Sequence, residues 1–196
     1  MITERLQLVA ATPELCQAER IGPLAVGSAL GAQVPPSWPP PVFEPDDVER
    51  VRKQLEAAPT NATWTLYYVI SKPPDAGGLP TLVGVAGFGG PPSPDGVVEI
   101  GYAVAVEHQH RGYATEAVRA LVAHAFAESR VAVVVATTFP TLEPSIGVLQ
   151  KTGFHHVASD PKTGLMRFER RRGPAEPPGS PLDGGHAPFS QTLKSD

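Results

Sequence analysis

The run EHQHRGYATEAV, residues 107–118, sets Gln109, Gly112 and Ala114 in a Q-x-x-G-x-A spacing between two contrasting segments. The stretch before it, GVVEIGYAVAV, has the pattern of a strand, and the stretch after it is an alanine-rich helix. A strand that enters a glycine turn and opens a helix leaves several backbone N–H groups without intrahelical partners. These groups point the same way, and the helix dipole favours negative charge beside them. Such a turn is a site for phosphate or pyrophosphate. Gly112 lets the backbone approach phosphate oxygens, and Ala114 keeps the next turn position small. Glu116 is expected to face solvent or to cap. Two other phosphate motifs are excluded. The run GVAGFGG lacks the third glycine of G-x-G-x-x-G, because Pro92 stands there and no helix follows; the G-x-x-x-x-G-K-[ST] pattern does not occur.

Other side chains offer proton-transfer or ligand chemistry. Glu99 lies mid-strand in VVEIGY with apolar neighbours. Partly buried, it would have the raised pKa of a general base, acting directly or through water; the alternative is a solvent-facing strand residue. Tyr102, three positions on, points to the other face and is expected to pack. His108 and His110 have an H-x-H spacing that a metal could use, but no carboxylate or cysteine cluster accompanies them, so no metal is expected. Cys16 falls on the first predicted helix as a small core residue.

These residues need a frame. RLQLVAA (5–11) alternates as a first strand, and Thr12 followed by Pro13 starts a helix to about Arg20. From Ile21 to Phe43 the chain is rich in Gly and Pro, and VPPSWPPPVF continues neither helix nor central strand, so a long loop is expected. PDDVERVRKQLEAA (45–58) puts Val48, Val51 and Leu55 on one helical face. Three strands follow at 64–71, 81–90 and 96–106, joined by turns that suit antiparallel hairpins. The helix from Tyr113 to Glu128 carries Val118, Leu121, Val122, Ala125 and Phe126 on one stripe. VAVVVATTF (131–139) is a buried strand, EPSIGVLQKT a short helix ending at Gly153, and LMRFERR (165–171) a last strand. The expected domain spans residues 1–172, and the Pro-rich stretch 173–196 forms a tail.

Composition narrows the classes. Among 196 residues there are 23 prolines, 19 glycines and one cysteine, with a net charge of −4. The single cysteine excludes a disulfide framework or thiolate metal cluster. The longest basic block is RRR at 170–172, which argues against a nucleic-acid partner. No apolar run approaches ~18 residues and no leader is visible, so a cytoplasmic protein with no membrane partner is expected.

VEIGYAVAVEHQHRGYATEAVRALVAHAF, followed by VVVATTF and PSIGVLQKTGF, resembles the GNAT superfamily of acyl-CoA N-acyltransferases, in particular the branch of ribosomal-protein N-terminal acetyltransferases. TERLQLVAATPEL at the N-terminus is also similar to that branch. The resemblance runs over about residues 3–170 and is most specific from 97 to 154. It implies an α/β (α+β) fold: a mixed, mostly antiparallel central sheet of six to seven strands, helices on both faces, and splayed central strands. It further implies that acetyl-CoA lies between the fourth and fifth strands, with Val104, Ala105 and Val106 at the thioester and pantetheine. Gln109, His110, Arg111, Gly112, Tyr113, Ala114 and Thr115 would hold the pyrophosphate. Ser145 would be a pantetheine contact or the acid for the leaving thiolate, since this helix lacks the tyrosine that relatives use. Leu142 stands where relatives carry Asn. Trp38 and Phe43 fall where the substrate loop would be, with Glu44, Asp46 and Asp47 either attracting a cationic amine or favouring a helix N-terminus. The implied activity is direct transfer of acetyl to a primary amine, on a small molecule or protein N-terminus; a homodimer is possible. The competing readings are a non-catalytic acyl-CoA sensor on the same fold and a proline-rich scaffold.

Overall fold

The computed structural model describes residues 1–73 and 78–173. β1 (Leu6–Ala10) buries Leu6 and Leu8, and α1 (Pro13–Ile21) begins where Thr12 Oγ1 accepts from Leu15 N at 3.2 Å. The expected loop over 21–43 is interrupted by a helix, α2 (Pro23–Leu30). Pro23 occupies its first turn, where a missing N–H costs nothing, and Gly31 ends it at φ 61. Proline in the first turn of a helix is a start signal rather than a breaker, and residues 31–44 stay non-helical. α3 (Pro45–Ala57) then buries Val48, Val51 and Leu55 as its spacing requires.

β2 (Leu66–Ser71), β3 (Thr81–Phe88) and β4 (Val97–Val104) extend β1 into an antiparallel meander. After the glycine turn come α4 (Tyr113–Ala127), β5 (Val133–Thr138), α5 (Glu143–Lys151), β6 (His155–Ser159) and β7 (Met166–Arg171). Among the described residues seven strands lie in the order β1-β2-β3-β4-β5-β7-β6, and β4–β5 is the one parallel strand pair. β6 has no counterpart in the sequence reading: every residue in it is exposed, so no apolar alternation marks it. Gly153 at φ 80 follows the α5 cap, as expected of a C′ glycine.

Each face of the sheet carries its own core. Leu15, Val26, Trp38 and the α3 stripe pack on Tyr68, Ile70, Leu82 and Val85. On the other face Val118, Leu121, Val122 and Phe126 of α4, with Leu149 of α5, pack on Leu6, Leu8, Val83, Val98 and Ile100. Helices α1–α3 therefore hold one face and α4–α5 the other. Arg172 closes the second layer, donating to the carbonyls of Phe126, Glu128 and Val131. Residues of the expected tail from 174 onward lie outside the described residues.

The sheet itself opens between two of its strands. β4 and β5 pair only from Val97↔Val133 to Glu99↔Val135, after which β4 runs on to Val104 paired with β3 but not with β5. Ala105 N donates to Val83 O and Gly89 N to Glu99 O, both at 2.9 Å, so the odd-numbered residues of β4 bond to β3. By that alternation the N–H groups of Tyr102 and Val104 face the gap left by β5.

Candidate functional site

Two cavities meet at this gap. One, of about 600 Å³, runs along the N-terminal turn of α4 and the start of α5, lined by Val104, Gln109, Gly112, Ala114, Thr115 and Lys151 among others. The second, of about 690 Å³, lies on the α3 side, where Phe43, Asp47, Arg50, Glu99, Thr137 and Phe139 contribute to its wall. Val42, Tyr102, Ala103, Leu142 and Ser145 line both.

The turn that opens α4 is left-handed at two positions. Gly112 sits at φ 80 and His110 at φ 59, left-handed conformations that glycine and histidine tolerate better than β-branched residues. The first helical bond is Glu116 N to Gly112 O at 3.1 Å, so the amides of residues 112–115 precede it and stay available. A clamp from the chain's N-terminus fixes this turn. Arg5 Nη1 donates to Arg111 O at 2.9 Å, Arg5 Nε to Glu116 Oε2 at 2.8 Å, and the guanidinium lies 5.1 Å from the Tyr113 ring centre. Glu116 also accepts from Thr3 Oγ1 at 2.6 Å and Arg5 N at 2.8 Å. Burial pushes its carboxyl up, but these hydrogen bonds outweigh that and hold it below the usual carboxylate range. Glu116 is thus neither solvent-facing nor a cap. Its partners lie more than a hundred positions away, and no local pattern announces them.

The expected cofactor contacts divide. Val104, Gln109, His110, Gly112, Tyr113, Ala114, Thr115 and Ser145 line the α4-side cavity. Ala105, Val106 and Arg111 do not. Ala105 is fully buried, Val106 N donates to Ser37 Oγ at 3.1 Å, and the Arg111 carbonyl is turned to Arg5. His108 takes a place in the wall instead, its Nδ1 buried without a partner among the described residues. Burial is the main cause that lowers its pKa, with Arg111 adding to it. Free amides, an orphaned ring nitrogen and Lys151 fit an extended phosphate-bearing molecule such as acetyl-CoA. Among the described residues no three His, Cys, Asp or Glu side chains gather to hold a metal ion.

On the other side, Glu99 is exposed rather than partly buried, and its Oε1 accepts from Thr137 Oγ1 at 3.2 Å. It reaches the cavity because the odd-numbered side chains of β4 face α3. Phe43 lines that cavity, whereas Trp38 lines neither. Trp38 is 7% exposed, donates from Nε1 to Glu19 Oε1 at 2.6 Å and lies 6.5 Å from the Tyr68 ring, so it packs the loop. Glu19 is in turn pushed upward by burial. Ser37 ties the same loop to Glu107 through its N–H and its hydroxyl. Glu44 and Asp47 serve the α3 N-terminus, Asp47 Oδ2 accepting from Glu44 N at 3.0 Å; Asp47 also pairs with Arg50 at 2.7 Å. Cys16 is fully buried, and burial pushes its thiol up to about 11, which suits an inert core residue.

The sheet is thus open between β4 and β5, with a helix N-terminus at the opening and a cavity on either side. The family model for the acetyltransferase (GNAT) domain matches residues 29–155, and the chain belongs to that family. Among solved structures, the ribosomal-protein-S5-alanine acetyltransferase from Vibrio fischeri shares 16% identity at TM-score 0.63, covering 90% of this chain and 98% of that one. RimL, a ribosomal L7/L12 alpha-N-protein acetyltransferase in complex with coenzyme A, shares 16% at TM-score 0.62 over 87% and 96% of the two chains. A GNAT-family acetyltransferase from Bacillus anthracis shares 20% at TM-score 0.57, over 87% and 97%. At these identities the likeness is one of fold. No curated protein sequence matches the chain. Among the described residues no helix is long and apolar enough to cross a membrane.

Proposed function

We propose that this chain is a cytoplasmic N-acetyltransferase that passes acetyl from acetyl-CoA to a primary amine within a ternary complex. The observation that carries this reading is the meeting of two cavities at the β4–β5 gap. An acyl-CoA sensor needs only the α4-side cavity; a transferase needs both. The amides of residues 112–115 hold the pyrophosphate, and the backbone N–H of Val104, facing the gap, stabilises the negative charge that develops on the thioester oxygen. An alkyl amine has a pKa near ~10.4 and must lose a proton before or during attack. Glu99, oriented by Thr137, takes that proton directly or through a water, and its charge draws the cationic acceptor into the α3-side cavity. Phe43, Val42 and Phe139 supply apolar contact for the acceptor's body. Release of free CoA thiol, followed across small amines, polyamines and peptides with free N-termini, tests the assignment. At least one acceptor is expected to accelerate release in proportion to enzyme; no acceleration with CoA bound would return the chain to the sensor reading.

A further inference from the structure

The charges that line the α3-side cavity narrow the class of acceptor, on the transferase reading. Among the described residues three charged side chains line it: Glu99 from β4, and Asp47 and Arg50 from α3. None of the three lines the α4-side cavity, so they bear on the acceptor and not on CoA. Asp47, Arg50 and Gln54 follow one another along α3 beside the buried stripe of Val48, Val51 and Leu55, so one edge of the helix meets the cavity.

The three charges are not equally free. Asp47 commits both oxygens to the protein: Oδ2 accepts from Glu44 N at 3.0 Å, and Oδ1 from Arg50 Nη2 at 2.7 Å. The first of these bonds closes the capping box that starts α3. Arg50 gives Asp47 only one of its five N–H groups, and its side chain is 65% exposed, so a fork of donors is left for a ligand. The other cations of α3 do not line the cavity, and they are engaged elsewhere: Arg52 pairs with Glu49 and Glu56, and Lys53 with Glu49. Glu99 accepts from Thr137 Oγ1 alone.

A ligand that spans the cavity from β4 to α3 therefore meets an anion at one wall and hydrogen-bond donors on a cation at the other. Its amine goes to Glu99, beside the gap where the acetyl group arrives. Its far end goes to Arg50. A second ammonium would find no free acceptor there, because Asp47 is already engaged, and a neutral end would leave the guanidinium donors unused. A carboxylate takes two N–H groups at once, in the planar paired geometry that arginine offers. Between the two ends the wall is apolar, with Phe43, Leu66 and Phe139 in it.

We infer that the acceptor is a primary amine that carries a carboxylate at its far end, and that Arg50 selects it. An ω-amino acid has this chemistry, and so does a free peptide N-terminus with an acidic side chain next to it.

The test follows release of CoA thiol from acetyl-CoA with n-alkylamines, ω-amino carboxylates and α,ω-diamines of matched length. A second arm uses peptides with free N-termini that differ only in Glu or Gln at the second residue. At equal length the carboxylate-bearing amines are expected to show a kcat/KM about tenfold higher than the neutral ones, mostly through KM, with the diamines last. Arg50→Glu is expected to invert that order. Arg50→Lys, a cation without the planar fork, is expected to keep part of the preference. Both variants should bind CoA as the wild type does by calorimetry, which also shows that they are folded. A preference confined to the amino acids, or to the peptides, supports the assignment and fixes the source of the carboxylate. Equal rates for matched amines, or a carboxylate preference that survives Arg50→Glu, overturn the assignment and leave the transferase reading standing. No acceleration by any amine overturns the transferase reading, and the role of Arg50 with it.

Discussion

The two cavities are built in opposite ways. The α4-side cavity is made largely of backbone: a left-handed Gly112, a run of amides before the first helical bond, and the gap-facing edge of β4. The α3-side cavity draws on side chains from β2 to β5, Glu99 among them, with Val42, Phe43, α3 and the segments after β5 and before β7. Backbone sites hold a ligand common to many proteins, because amides and a dipole bind phosphate whatever the neighbouring residues are. Side-chain sites hold what is particular to one protein. On the proposed reading, a donor site built on backbone can be kept while the acceptor changes.

This contrast can be broken most severely at Gly112. Gly112→Val puts a β-branched residue at φ 80 and a Cβ that would lie 3.2 Å from Arg5 Nη2. CoA affinity is expected to fall by about a hundredfold or more, since several charge-assisted bonds are lost together, while circular dichroism remains that of the wild type. Unchanged affinity would show that the phosphates bind elsewhere. On the acceptor side, Glu99→Gln is expected to lower kcat by about a hundredfold or more and leave CoA binding by calorimetry untouched. A matching loss of CoA affinity would mean that the two cavities are not separable.

The clamp beneath the turn sharpens the comparison with a smaller effect. Arg5→Ala and Glu116→Gln are each expected to weaken CoA binding by about tenfold, and the double variant to lose little more, because both act through one network. The clamp also sets an acid limit. Glu116 has a folded pKa depressed below the usual carboxylate range, so its contribution is present above that range and is lost as pH falls through the folded pKa. Thermal melts of wild type and Glu116→Gln should therefore converge toward acid pH; parallel curves would contradict the network.

Leu142→Asn has the mildest expectation. Leu142 is 40% exposed at the N-cap of α5 with no side-chain cap. Asparagine there would cap the helix, worth about 1 kcal/mol, and could meet a pantetheine amide, tightening CoA binding by tenfold or less. Weaker binding would show that Leu142 packs usefully where the cavities join.

What could be read from the sequence follows the same division. Helix starts at Thr12 and Gly112, the α3 and α4 stripes and the hairpin strands are local patterns, and each appears where its spacing placed it. α2 was hidden by Gly22 and Pro23, whose breaker signals are also start signals. β6 was hidden because an exposed edge strand buries nothing. In the site, the glycine turn was legible because Gln109, Gly112 and Ala114 are close in sequence. The Arg5–Glu116 clamp, the hydrogen bond from Tyr102 Oη to the Ser145 carbonyl and the Ser37 tie to Glu107 were not, since each joins segments that only the folded sheet brings together. Glu99 was legible as a carboxylate, with its position left open between partly buried and solvent-facing; it is exposed, and apolar neighbours along one strand say nothing about the opening on its own face.

The most direct test of the account is an experimental structure of the chain with acetyl-CoA bound. The account predicts the pyrophosphate on the amides of residues 112–115 and the acetyl carbonyl at the gap-facing N–H of Val104, between the cavities. An acetyl group lodged away from the shared wall, or phosphates off the Gly112 turn, would contradict it.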